Sequence, residues 1–115
     1  MVKIYHNSRC RKSRLALKEL MASGLEVEVI EYLKTPLDNV QLQKLVDALD
    51  ILPYELIRRG EKIFKEQYKK FHSDNVDWIQ AMVDYPILME RPIIQKKDLA
   101  IIGRTPASIQ KIISY

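Results

Sequence analysis

VKIYHNSRCRKSRLALKELMASGLEVEVIEY, residues 2–32, is the stretch that decides the architecture. Its opening, VKIYH, is β-branched and aromatic, the composition of a short strand. Helical spacing follows at once. In KSRLALKELMAS (12–23), Ala16, Leu17, Leu20 and Met21 fall on one face, and Gly24 stands where a helix would stop. LEVEVIEY (25–32) then alternates, with Leu25, Val27 and Val29 to one side and Glu26 and Glu28 to the other. Such alternation predicts a strand with one wet face, at or near a sheet edge. Strand, helix and strand in close succession form the unit from which parallel sheets are built.

Downstream of the TPLD turn (35–38), Leu42, Leu45, Val46 and Leu49 recur at helical spacing and predict a second amphipathic helix. PYELIRRGEKIFKEQYKKF (53–71) is less regular and reads as short helical pieces broken at Gly60. Asp74 is the expected N-cap of a third helix with Val76, Ile79, Met82 and Val83 on its apolar face, ended by Pro86. RPIIQKKDLAII (91–102) reads as a hairpin whose polar turn is Gln95–Asp98. Thr105 and Pro106 then supply an N-cap and a first-turn proline for a closing helix that buries Ile109, Ile112 and Ile113. The order β-α-β, helical insertion, β-β-α matches an α/β thioredoxin-like fold: a four-stranded mixed sheet with helices on both faces. A single domain spanning residues 1–115 is expected, with the helical insertion at about 38–84.

The composition narrows the function. With 115 residues, 47% hydrophobic and 30% charged, the chain suits one ordered core rather than extended disorder. No apolar run approaches the roughly 20 residues that cross a bilayer, and MVKIYHNSRC turns polar too early for a secretory signal. The net charge of +4 is a mild bias. Lys62, Lys65, Lys69 and Lys70 read as a solvated helix face in preference to a nucleic-acid surface. One cysteine, Cys10, excludes an intrachain disulfide and a thiolate-rich zinc site, and His72 has no partner at ligand spacing, so no metal is expected. A lone thiol without an export signal points to a reducing cytoplasm.

Cys10 falls between the first strand and the first helix, at the carboxyl end of a β-α-β strand, where α/β proteins bind ligands. The free N–H groups and dipole of the helix favour a thiolate there, and Arg9, Arg11, Lys12 and Arg14 are expected to act in the same direction. A small buried apolar role fits poorly between Arg9 and Arg11. Residue 13 is Ser13, so the dithiol pattern C-x-x-C is absent; residue 16 is Ala16, so the C-x5-R phosphate loop is absent too. Ser13 is expected to donate a hydrogen bond to the thiolate. Without a resolving sulfur, any disulfide intermediate must be completed by an outside thiol such as glutathione.

IYHNSRCRKSRLAL (4–17), EYLKTPL (31–37), LIRRG (56–60), YPILMERPII (85–94) and IIGRTP (101–106) together resemble the glutaredoxin-linked arsenate reductases and their Spx-like relatives, over nearly the whole chain and in the same order. The resemblance implies a thioredoxin-like fold with a helical insertion and a nucleophilic cysteine at Cys10. It implies three arginines around the sulfur: Arg91 in ERPII, Arg104 in IGRTP, and Arg58 in LIRR, with neighbouring Arg59 the alternative to Arg58. His6 and Asn7 match the histidine and asparagine that precede the cysteine, Ser8 departs from the usual proline, and Pro92 resembles the cis-proline that faces the thiol. It further implies arsenate or a similar oxyanion as substrate, no bound cofactor, glutathione as co-substrate and glutaredoxin as partner. The physical need for such a set is direct. A thiolate attacking a tetrahedral oxyanion brings like charges together, and guanidinium forks match that geometry while remaining charged. Two other readings share the scaffold: an Spx-like regulator of RNA polymerase, whose C-x-x-C switch Ser13 removes, and a glutathione-dependent oxidoreductase that acts on another substrate.

Overall fold

A computed structural model describes residues 1–115. Four strands, β1 (Val2–Tyr5), β2 (Val27–Ile30), β3 (Ile93–Lys96) and β4 (Leu99–Ile102), form one sheet in the order β2-β1-β3-β4. β1 and β2 run parallel, joined by α1 (Arg11–Ala22), whereas β3 is antiparallel to both β1 and β4. This is the mixed sheet of the thioredoxin-like fold. β2 lies at the sheet edge, as its alternation predicted, and its residues are at most half-buried.

Chain connectivity divides the molecule into two compact units: Met1–Thr35 together with Arg91–Tyr115, and the inserted Pro36–Glu90.

In the sheet unit, Ile4 faces Ile94 across the ladder, and Val2, Ala16, Leu20, Ile109 and Ile112 complete a fully or nearly fully buried cluster. α1 and the closing α5 (Pro106–Ile113) thus share this core. The buried stripe of α1 is Ser13, Ala16 and Leu20, while Met21, expected on the apolar face, is exposed. α5 starts as predicted, with the Thr105 hydroxyl accepting from the Ser108 N–H and Pro106 in the first turn. The β3–β4 connection is shorter than expected. Gln95 and Lys96 stay in the ladder, and the turn is Lys97–Asp98 with Lys97 at φ 57°. Gly103 is buried where its N–H donates to the Pro92 carbonyl, and a Cβ there would lie 2.5 Å from Ile94 Cδ1.

The inserted unit contains α2 (Asn39–Leu49), α3 (Lys62–Gln67) and α4 (Trp78–Asp84), linked by 3₁₀ turns. Asp38 and Gln41 close a capping box at the start of α2, whose buried residues are Leu42, Leu45 and Val46. α4 is capped by Asp77 and not by Asp74, which sits in a 3₁₀ turn. The reason is Trp78. Its ring stacks among Tyr54, Phe64 and Tyr68 while its indole N–H donates to the Ser73 carbonyl, so the helix begins at the tryptophan. An isolated bridge between Ile57 and Met89 ties the middle of this unit to its end. No helix is long and apolar enough to cross a membrane.

Candidate active site

Cys10 is the N-cap residue of α1, in extended backbone, and is the chain's only cysteine. β1 ends at Tyr5, and the buried His6 and Asn7 carry the chain round to it, with the Cys10 N–H donating to the Asn7 carbonyl at 3.0 Å. No side chain caps α1, so its first amides are left for another acceptor. The sulfur is that acceptor. Partial burial pushes the thiol up, but hydrogen bonds from the Ser13 N–H and the Arg91 guanidinium, the Arg91 charge and the Lys12 N–H together outweigh it. The thiol therefore ionises below its ordinary value.

The lowering comes from Arg91 and two main-chain donors, not from the flanking cations. Arg9, Arg11, Lys12 and Arg14 are all exposed, where water screens their charges, and Arg14 Nη1 is turned to the Ser8 carbonyl at 3.0 Å. Ser13 also differs from expectation. Its hydroxyl is fully buried, accepts from the Asn7 N–H at 3.1 Å and lies 2.6 Å from His6 Nδ1. It is the Ser13 backbone that serves the sulfur, while the side chain ties His6 and Asn7, at the start of the loop, to the first turn of α1. Since the hydroxyl's own proton has no other acceptor, it goes to His6 Nδ1, which leaves the imidazole proton on Nε2. Burial lowers the His6 pKa, with Glu31 opposing and Arg14 reinforcing, in keeping with a neutral ring. Asn7 turns its side-chain carbonyl to the Arg9 N–H, closing the loop from inside.

Arg91 and Arg104 belong to the same unit as Cys10. Arg91 is half-buried at the entry to β3, and the peptide bond joining it to Pro92 is cis. Arg104 Nη1 donates to the Arg91 carbonyl at 2.8 Å, so the second guanidinium is anchored on the main chain of the first. Arg58 lies in the inserted unit, where Nε meets Glu61 at 3.1 Å and Nη1 meets Glu90 at 3.7 Å. Arg59 is exposed and rests over the Tyr54 ring, 4.9 Å from its centroid. His72 is exposed, its Nδ1 accepting from the Asp74 N–H. Lys62, Lys65, Lys69 and Lys70 are exposed, Lys62 pairing with Glu66 and Lys70 lying over Phe71.

Beside the cysteine loop is a cleft of about 200 Å³ lined by His6, Asn7, Ser8, Arg9, Glu31, Leu33 and Lys34. Glu31 and Lys34 carry no catalytic motif of their own. Only their position just after β2, parallel to β1, brings them to the loop.

Residues 5–112 match the model of the ArsC family. The chain is 45% identical to the "Uncharacterized protein YfgD" of Escherichia coli, covering 97% of this chain and 96% of that protein. It is 35% identical to an arsenate reductase of Neisseria meningitidis, covering 97% of each. The solved structure of an arsenate reductase from Vibrio cholerae superposes with a TM-score of 0.86 at 33% identity, covering 96% of both chains. A half-buried thiol at the open start of α1, met by an arginine next to a cis-proline, therefore sits on a scaffold with named relatives end to end, and the chain belongs to the ArsC family.

Proposed function

We propose that this protein reduces arsenate to arsenite, with Cys10 as the nucleophile and glutathione and glutaredoxin as the outside thiols. The observation that carries the reading is the Cys10 sulfur held by Arg91 and by the first amides of α1, which favours the thiolate. In the first step the thiolate attacks As(V), an As–S bond forms, and one As–O bond breaks as hydroxide or water leaves. Glutathione then replaces a second oxygen, and another water departs. A glutaredoxin thiolate attacks the glutathione sulfur; the As–S bond to it breaks, and its electron pair takes arsenic from +5 to +3. The product disulfide is glutaredoxin–glutathione. Hydrolysis of the remaining As–S bond releases arsenite and restores the Cys10 thiol.

In this cycle Arg91 holds the thiolate and, with Arg104, neutralises the oxyanion and the charge on departing oxygen. Arg58 is assigned as the third guanidinium on its motif position alone. His6, Asn7 and Ser13 are positioning residues: their hydrogen bonds fix the loop that presents the sulfur. Pro92 follows Arg91 and sets the entry to β3. The reaction belongs in a reducing cytoplasm, where glutathione is abundant. The test is arsenate-dependent NADPH consumption coupled through glutathione reductase, glutathione and glutaredoxin. Wild-type protein is expected to turn over and Cys10→Ser to be inactive; absence of wild-type turnover refutes arsenate as the substrate.

A further inference from the structure

The helix α1 has an outer face that neither the core nor the sulfur uses. Opposite its buried stripe of Ser13, Ala16 and Leu20, the residues Arg11, Arg14, Leu15 and Lys18 stand at i, i+3, i+4 and i+7, and Met21 extends the row by a turn. All five are exposed, Leu15 at 51% and Met21 at 56%. The row holds three cations and no anion. None of the three pairs with a carboxylate, whereas Lys34, Arg58 and Lys62 elsewhere in the chain each do. Folding does not account for them. Arg11 and Arg14, with Lys12 between, stand at the start of a helix whose first turn has no acid, and there the helix dipole repels positive charge. The thiol does not account for them either, since the groups that hold the sulfur are Arg91 and two main-chain amides.

We propose that this row is a docking surface for a protein, namely an acidic surface that borders the thiol of the donor reducing the adduct on Cys10. The proposal rests on the cycle above, in which glutaredoxin is that donor. Cys10 is the N-cap of the same helix, so a partner seated on the row brings its thiol beside the sulfur it must serve. Arg11 and Lys18 are separated by about 10 Å along the helix, a span that suits a protein contact and exceeds what one small oxyanion covers. The composition favours a protein over a nucleic acid. Arginine and methionine are enriched where proteins meet, and a flexible methionine adapts to a partner's apolar surface. A phosphate backbone would leave Leu15 and Met21 without contacts. Water screens these cations from Cys10 in the free protein, and a docked partner displaces that water, so the row acts on the partner and not on the resting thiol.

The test uses Lys18→Glu and Leu15→Gln in the full chain, both exposed positions apart from the groups that hold the sulfur. Arsenate is left out, so the docking surface is judged separately from arsenate turnover. Cys10 is first joined to glutathione as a mixed disulfide. A glutaredoxin thiolate then attacks the glutathione sulfur, the S–S bond breaks, Cys10 leaves as the thiolate, and a glutaredoxin–glutathione disulfide forms. Mass spectrometry follows the loss of glutathione from the chain. For wild type, the second-order rate constant with glutaredoxin is expected to fall about tenfold between about 20 and 500 mM NaCl. At the lower salt, Lys18→Glu should be about tenfold slower than wild type and nearly insensitive to salt, and Leu15→Gln about threefold slower with the wild-type salt dependence. Reduction by dithiothreitol, which has no charged group, should be equal in all three. Wild-type rates in both variants, an equal loss with dithiothreitol, or a wild-type rate that ignores salt overturns the proposal. Binding of wild type to a short DNA duplex that Lys18→Glu abolishes, with reduction by glutaredoxin unchanged, assigns the row to nucleic acid and overturns it as well.

Discussion

At the scale of single residues, the chemistry depends on who touches the sulfur. Arg91 gives both a hydrogen bond and a charge, so Arg91→Ala should move the pH inflection of Cys10 alkylation upward, toward the value of an ordinary thiol. Its arsenate turnover should fall roughly 10²–10³-fold, the cost of one preorganised donor. Iodoacetamide kinetics across pH check the first expectation and the coupled assay the second. The position of Cys10 and the motif containing Arg91 were legible because the β-α junction and ERPII are contiguous runs. The partner of the Ser13 hydroxyl was not. Residues 6, 7 and 13 share a hydrogen-bond network only after the chain has turned from β1 into α1, and local spacing says nothing about which way a buried hydroxyl points. The four cations around Cys10 misled for the opposite reason: they are close in sequence, yet exposure leaves them screened, whereas Arg91 reaches the sulfur from far along the chain.

At the scale of elements, Gly103 joins β4 to the start of α5 directly against the Ile94 side chain. Gly103→Ala would press a methyl onto Ile94 Cδ1 at 2.5 Å and Cγ1 at 3.2 Å, and Ile94 is fully buried with little room to turn. A loss of about 1–3 kcal/mol is expected, read from the urea midpoint, with the effect relieved in a Gly103→Ala, Ile94→Val double variant. Element type was readable wherever apolar spacing was strong: α1, α2, α5 and both hairpin strands fall where the periodicity placed them. Boundaries were not. Asp74 and Asp77 are equally good caps by type, and the choice is made by the Trp78 cluster, a tertiary contact. The hairpin turn carries no glycine, so nothing in Lys97–Asp98 announced a left-handed residue there.

At the scale of the whole molecule, the buried His6 couples stability to pH. Its folded pKa is lowered below 6.5, chiefly by burial. Above about 6.5 folded and unfolded chains both hold a neutral ring, so its contribution is fully present. As pH falls through that value the unfolded chain takes up a proton that the folded one refuses, and stability declines until the folded pKa is reached. Urea unfolding at pH 7.5 and 5.5 should therefore show a larger decline for wild type than for His6→Asn; equal declines would assign the pH dependence to other groups. The sheet unit is discontinuous, because strand-helix-strand at one end and hairpin-helix at the other leave the middle of the chain to be inserted. Having one thiol and no second has a consequence for survival under peroxide. A sulfenic acid formed at Cys10 finds no neighbouring thiol in its own chain to trap it, so it either meets a small-molecule thiol in time or proceeds to the irreversible sulfinic acid.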